Sequence, residues 1–478
     1  EEYWHTRSTG ASRNDRIHPS TSEINAALTN VQSNSGSSAS EGLRSYIGRM
    51  NYSAYDKYLL EFSFRVDGSS KFIKGHQYGF FPTVAVGWRF TEEEFLKKYL
   101  SSWLSSGKLR ASWGKLGDNS GVDRFEQLET LTAMNYMSSD VVKGFVNKKM
   151  INKDLSWEVS TDINVGLDLG FLNNRLRTEI DFYNRLRTGM NRPSQMSIHL
   201  TGAYSAPRAN IGDLLNRGLE LNLTWKDKIG NVEYSVNLNG AYNRTVLKEW
   251  NEFLSRGWVY LDMPYHFLYV YENNGIAQTW QDIYNNTPQG LSPGDVIRKD
   301  LNGDGIIDGK DKKAYPNIQR DRPTTTYGIT LQAAWKGFDI SMLFNGGLGR
   351  KDFWLTDFNN TAFADRRYAS TWDHWTEPWS LENRGGEWPR LGTSTDRSDN
   401  SYWLYNMNYL RMKNIMLGYN LPKKLLSKIS MTNLRIYASA ENLFTVTQYP
   451  GLDPEKKNSA RDLYPINRSF SIGLNVSF

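Results

Sequence analysis

The sequence predicts an all-β protein, an antiparallel transmembrane β-barrel, and three observations carry that prediction. Apolar and polar residues alternate with period two in segment after segment. The connections between those segments sort into a short and a long class that take turns along the chain. Tyr, Phe and Trp number 27, 21 and 16 in 478 residues, as in barrels that ring both bilayer interfaces with aromatics.

Taken in order, the tail of a strand at Tyr3–Thr6 comes first. Tyr58, Leu60, Phe62, Phe64 and Val66 then share one face, with Glu61, Ser63, Arg65 and Asp67 on the other. Val84, Val86, Trp88 and Phe90 repeat the pattern, and Ile163, Val165, Leu167 and Leu169 oppose Asn164, Gly166 and Asp168. Leu219, Leu221, Leu223 and Trp225 oppose Glu220, Asn222 and Thr224, while Tyr234, Val236 and Leu238 oppose Ser235, Asn237 and Asn239. The last strand carries Phe470, Ile472, Leu474, Val476 and Phe478 on one face. About thirteen strands follow the Tyr3–Thr6 tail by this criterion.

Alternation alone leaves a soluble sandwich and a membrane barrel equally open. Connection lengths favour the barrel. The joins at 421–430, 336–337, 226–231, 171–174 and 53–57 are short, and those at 444–467, 348–405, 244–323, 189–215 and 115–157 are long. Strands that cross an outer membrane back and forth give this: short periplasmic turns and long extracellular loops. The joins at 91–106 and 67–77 are exceptions in length. Thr91 and Glu94 form a capping-box pattern ahead of Phe95, Leu96, Tyr99, Leu100 and Trp103, predicting a short amphipathic helix in the periplasmic connection.

Composition removes several other classes. Mean hydropathy is −0.60, and no run approaches the ~18 apolar residues of a membrane-spanning helix. Cysteine is absent, which excludes disulfides and thiolate metal sites. A net charge of +6 without a Lys/Arg block argues against nucleic acid as a partner. The chain starts at Glu1 without an initiator Met or signal peptide, so a longer parent is expected, which must also supply the strands that close the barrel in lipid.

A family resemblance rests on an ordered set of local motifs. These are Arg65–Val66–Asp67–Gly68–Ser69–Ser70, Phe81–Pro82–Thr83–Val84–Ala85–Val86–Gly87–Trp88, Leu109–Arg110–Ala111–Ser112–Trp113–Gly114 and Leu155–Ser156–Trp157–Glu158. They continue with Asn216–Arg217–Gly218–Leu219–Glu220, Asp300–Leu301–Asn302–Gly303–Asp304–Gly305, Tyr409–Leu410–Arg411–Met412–Lys413–Asn414, Glu441–Asn442–Leu443–Phe444 and Gly451–Leu452–Asp453–Pro454–Glu455. With these the chain resembles the C-terminal barrel portion of SusC/RagA-type TonB-dependent outer-membrane transporters. The resemblance implies a barrel of the roughly 22-stranded, plugged kind. It further implies coupling to TonB–ExbB–ExbD through an N-terminal part, a SusD-like surface lipoprotein over the mouth, and import of oligosaccharides or peptides. The signal peptide, carboxypeptidase-regulatory-like domain, TonB box, plug and first strands of that family have no counterpart in this sequence.

The sharpest chemical motif runs from Asp300 to Asp311. Asp300, Asn302, Asp304, Asp308 and Asp311 occupy positions one, three, five, nine and twelve of an EF-hand-like loop, with Ile306 at position seven and Gly305 at the sharp turn. Oxygen donors at this spacing suit Ca²⁺ as a structural staple in an extracellular loop. Asp at position twelve replaces the usual bidentate Glu, and a metal-free acidic turn is the alternative account. A second cluster comprises Trp354, Trp372, Trp375, Trp379 and Trp388 in the outer loop 348–405. These rings suit stacking on substrate or anchoring a partner, against simple packing of the loop.

Catalysis finds no footing. The histidines at 5, 18, 76, 199, 266 and 374 lie apart, without a nucleophile elbow or an H-E-x-x-H run. Glu61, Arg65, Asp168, Glu179, Asp181 and Glu220 are expected to form networks on the lumen wall. The primary reading is therefore a non-enzymatic import channel. The alternatives are a TonB-dependent siderophore or cobalamin receptor without a lipoprotein lid, and a secreted β-rich glycan-binding protein.

Overall fold

A computed structural model describes residues 2–13, 32–100, 103–129, 131–137, 141–147, 149–196, 199, 206–252, 260–265, 267–353, 377–390, 400–426, 431–456 and 466–477. Fourteen strands form one antiparallel sheet in which every strand pairs with its neighbours in sequence. They are β1 (Glu2–Arg13), β2 (Gln32–Ala54), β3 (Tyr58–Ser69), β4 (Tyr78–Trp88), β5 (Leu104–Asp118), β6 (Glu158–Phe171) and β7 (Leu176–Thr188). There follow β8 (Asp213–Ile229), β9 (Val232–Glu249), β10 (Thr325–Trp335), β11 (Phe338–Leu348), β12 (Tyr409–Asn420), β13 (Asn433–Thr447) and β14 (Ser469–Ser477). β1 and β14 are the two edges of the sheet. The expected strand at Tyr3–Thr6 is the core of β1.

The predicted faces survive in the register. Leu223 lies opposite Leu238 and Trp225 opposite Val236 on one face, and Asn222 opposite Asn239 on the other. On β14 the apolar face is bare: Phe470 is 72% exposed, Ile472 85% and Leu474 62%. Apolar rows that exposed are stable in lipid and not in water. Phe478, the end of the predicted row, lies outside the described residues.

Turns follow local chemistry. The join of β10 to β11 is the two-residue turn expected at 336–337. Lys336 and Gly337 both have positive φ, the conformation that matches the twist of a hairpin. Between β4 and β5 lies the expected helix, α1 (Glu94–Leu100), but its capping box does not form. The Thr91 hydroxyl faces away, accepting the Gly107 N–H at 2.9 Å, and so ties the connection to β5. Glu93 takes the anchoring role, accepting from Tyr58 at 2.6 Å and Trp88 at 3.2 Å and pairing with Lys57. Those donors hold its carboxyl below the usual range, Tyr58 contributing most.

The buried apolar clusters of the described residues sit among the long loops and at the strand ends that meet them. The largest joins Leu268, Val270, Phe353, Trp403, Met407 and Tyr449, from three successive long loops. Full burial of such side chains contributes roughly 1.5–3 kcal/mol each. The extracellular end is thus a folded cap, and the wall beneath is lined by polar networks.

Candidate functional site

Short two-stranded sheets build the cap: Phe267–Tyr271 with Lys312–Gln319, Asn273–Ile276 with Val296–Arg298, and Lys351–Phe353 with Leu404–Asn406. Two buried arginines fasten it to the rim. Arg350, 1% exposed, donates to the carbonyls of Arg320, Pro454, Glu455 and Lys456 at 3.0–3.1 Å. Arg411 on β12 pairs with Asp453 at 2.8 Å and with Glu455, so both arginines grip the segment 453–456. The resemblance motifs contain Arg411, Asp453 and Glu455, but sequence reasoning gave them no role and missed Arg350.

The Asp300–Asp311 segment forms a tight loop in which Gly303 and Gly305 have positive φ. Asp300 accepts the N–H groups of Gly303 and Gly305 at 2.6 and 2.9 Å. Asp304 accepts from Ile306 N and Asn302 Nδ2 at 3.0 and 2.8 Å, and Asp308 accepts from Lys310 N at 2.7 Å. Asp311 is fully buried and receives the N–H groups of Asp308 and Leu301 at 2.8 and 2.9 Å. These donors, Asp308 N–H foremost, hold its carboxyl below the ordinary range. The oxygen donors fit a hard cation in kind. In position, Asp300, Asp304 and Asp311 already direct both oxygens at N–H groups, and among the described residues no three Asp, Glu or His side chains converge as metal ligands.

Of the five tryptophans singled out, Trp354, Trp372 and Trp375 lie outside the described residues. Trp379 is 7% exposed and donates to Gln278 Oε1 at 2.9 Å. Trp388 stacks on Trp403 with centroids 6.4 Å apart. Both pack the interior of the cap. The aromatic pair that is open to solvent was not foreseen: Trp280 and Tyr284, 55% and 77% exposed. They stand one turn apart on α2 (Trp280–Tyr284), their centroids 6.5 Å apart and their planes inclined by 31°. A reciprocal capping box between Thr279 and Asp282 fixes this helix. Gln281, Asn285, Asn274 and Asn286 border it with mutually bonded amides. The signal was legible as Thr279-x-x-Asp282 opening a helical turn with aromatics at Trp280 and Tyr284, i and i+4.

On the lumen wall, Arg110 bridges Asp168 at 2.7 Å and Asp181 at 2.9 Å. Arg49 meets Glu61, Arg65 meets Asp67, and Asn222 donates to Glu179. Of the residues expected in polar networks, Glu61, Arg65, Asp168, Glu179 and Asp181 therefore have hydrogen-bond or ion-pair partners, and Glu220 has none among the described residues.

A membrane-facing wall of fourteen strands under a folded extracellular cap can now be set beside known proteins. The family described as "TonB dependent receptor-like, beta-barrel" matches residues 3–266. The chain belongs to that family. It is an outer-membrane β-barrel protein. It is 30% identical over 456 residues to the TonB-dependent receptor SusC of Bacteroides thetaiotaomicron, covering 91% of this chain and 44% of that protein. It is also 30% identical to the TonB-dependent receptor P3 of Formosa agariphila, covering 91% and 45%. The solved structure of the RagAB peptide transporter shares the fold, with a TM-score of 0.77 at 23% identity, covering all of this chain and 52% of that one. The chain spans about half the length of the curated relatives it matches. Those relatives are receptors, in keeping with a non-enzymatic role.

Proposed function

We propose that the receptor containing this barrel imports oligosaccharides, driven through TonB–ExbB–ExbD and covered at its mouth by a SusD-like surface lipoprotein. The observation that carries the reading is the Trp280–Tyr284 pair on the extracellular cap. Two exposed rings inclined by 31° and bordered by amides suit the apolar faces and hydroxyl edges of consecutive sugar units. Likeness to SusC supports the transport class. Peptide import is the other outcome. Full-length receptor purified from outer membranes and titrated with oligosaccharide and peptide panels tests it. Saturable saccharide binding lost in Trp280→Ala supports the proposal, and binding of peptides alone overturns it. A tagged receptor that never brings down a lipoprotein overturns the lid.

We also propose that Asp300, Asn302, Asp304, Ile306, Asp308 and Asp311 hold Ca²⁺, which would stiffen the cap without entering transport. The motif's spacing supports this. Protease protection of the loop that Ca²⁺ raises in the wild type and not in Asp300→Ala or Asp304→Ala is expected. Identical digestion with and without Ca²⁺ in the wild type overturns it.

A further inference from the structure

On the outward face of the wall Arg217 and Arg244 form a like-charged pair that no acidic side chain among the described residues compensates. Arg217 on β8 lies directly opposite Arg244 on β9, both in the lipid-facing rows. Opposed residues in an antiparallel pair have Cβ atoms only ~5 Å apart, and like charges there repel. Below them the rows are apolar: Leu219 with Tyr242, Leu221 with Gly240, Leu223 with Leu238, Trp225 with Val236. From this level down to Trp225 no Asp or Glu occurs in the outward rows of β7 to β10, and Asp227, the first acid below, pairs with Arg175 at the periplasmic end. Arg217 donates to Asn184 Oδ1 at 2.7 Å, a neutral partner that leaves its charge unbalanced. Arg244 has no hydrogen-bond or ion-pair partner among the described residues, and its Nε is buried without an acceptor.

Height along the strands identifies what lies opposite the pair. Trp225 and Tyr234, bonded to each other at 3.1 Å, mark the periplasmic aromatic level. Arg217 is eight positions from Trp225 along β8, and Arg244 ten from Tyr234 along β9. A tilted strand crosses the hydrocarbon in about 9–11 residues. The arginines therefore emerge beside the headgroups of the outer leaflet, just above Leu219 and Tyr242, each 47% exposed. The strand ends above them are covered by the loop at 260–265, where Val246 bridges Pro264.

We propose that Arg217 and Arg244 together clasp a phosphate of an outer-leaflet glycolipid headgroup. A phosphate between two guanidinium groups removes their repulsion and leaves the acyl chains against the apolar rows below. Guanidinium and phosphate match in charge and in fork geometry. The pair holds a lipid to the wall beneath the cap, independently of what the receptor transports.

The test uses full-length receptor extracted from outer membranes in mild detergent, with bound glycolipid counted per protein by native mass spectrometry. Wild type is expected to retain phosphorylated glycolipid, and Arg217→Gln/Arg244→Gln to retain at least tenfold less while still migrating as a heat-modifiable folded barrel. The lumen-facing control Arg185→Gln is expected to behave as wild type. Rebinding of purified diphosphorylated lipid A to delipidated wild type, and failure of its dephosphorylated form, assigns the contact to phosphate. Displacement by millimolar inorganic phosphate alone makes the site one for free anions and overturns the lipid assignment. Equal retention by wild type and double variant, or equal loss in the Arg185 control, overturns the proposal outright.

Discussion

Replacing Asp453 with Ala should release the last extracellular loop from the barrel rim. Asp453 and Arg411 are nearly inaccessible, 2% exposed each, and their ion pair spans 2.8 Å. Removing one partner of a buried pair costs roughly 3–5 kcal/mol because the other charge stays desolvated. Arg411 retains Glu455 and donates to Thr445 Oγ1 at 2.9 Å, so the lower end, ~3 kcal/mol, is expected. That energy corresponds to a rise of about a hundredfold in the open population of the loop. Hydrogen exchange at the Tyr449 amide, bonded to Thr447 Oγ1 in the closed loop, reads this, whereas the Glu455 amide loses its own acceptor in Asp453→Ala and does not. Arg411→Met combined with Asp453→Leu should exchange more slowly than either single variant, since neither buried charge is then stranded and the part-exposed Glu455 keeps Tyr409 and Asn345 as donors. An acceleration below threefold in Asp453→Ala, or additive effects in the double variant, would refute the reasoning.

Three further outcomes follow from the same geometry. Gly218→Ala should lower barrel stability by about 1–3 kcal/mol, because a Cβ there would lie 2.3 Å from the Tyr183 ring. Urea unfolding in detergent measures it, and a Tyr183→Ala background should abolish the effect. The Asp311 carboxylate is favoured in the folded loop, so its contribution is complete above about pH 4 and disappears as pH falls through its lowered native value. Proteolysis of the 300–311 loop should therefore accelerate on acidification, and Asp311→Asn should flatten that dependence. Tyr284→Ala should weaken saccharide binding by roughly tenfold without changing cap proteolysis, and cap loosening in that variant would point to a packing role instead.

The wall was legible from sequence because lipid enforces one apolar face, and Leu219 to Trp225 or Phe470 to Val476 can satisfy it only as period-two strands. Strand ends were less so: β8 and β9 run on to a turn at 230–231, within the join expected at 226–231, since strand pairing continues past the apolar stripe. The cap was opaque. Its core gathers Leu268, Phe353, Trp403 and Tyr449 from segments far apart in the chain, and no period marks such contacts. The same blindness left Trp379 and Trp388 open between ligand contact and loop packing, where the structure packs them against Gln278 and Trp403, and hid Trp280 and Tyr284. Thr91 shows local pattern losing to tertiary context, since a bond to Gly107 replaced the cap its spacing suggested.

Uptake tests the central claim most directly. Cells expressing the full-length receptor and its neighbouring lipoprotein should accumulate a labelled oligosaccharide, and Trp280→Ala/Tyr284→Ala or a protonophore should abolish the accumulation. Uptake that persists unchanged in both, or a receptor that takes up peptides and no saccharide, would contradict the account.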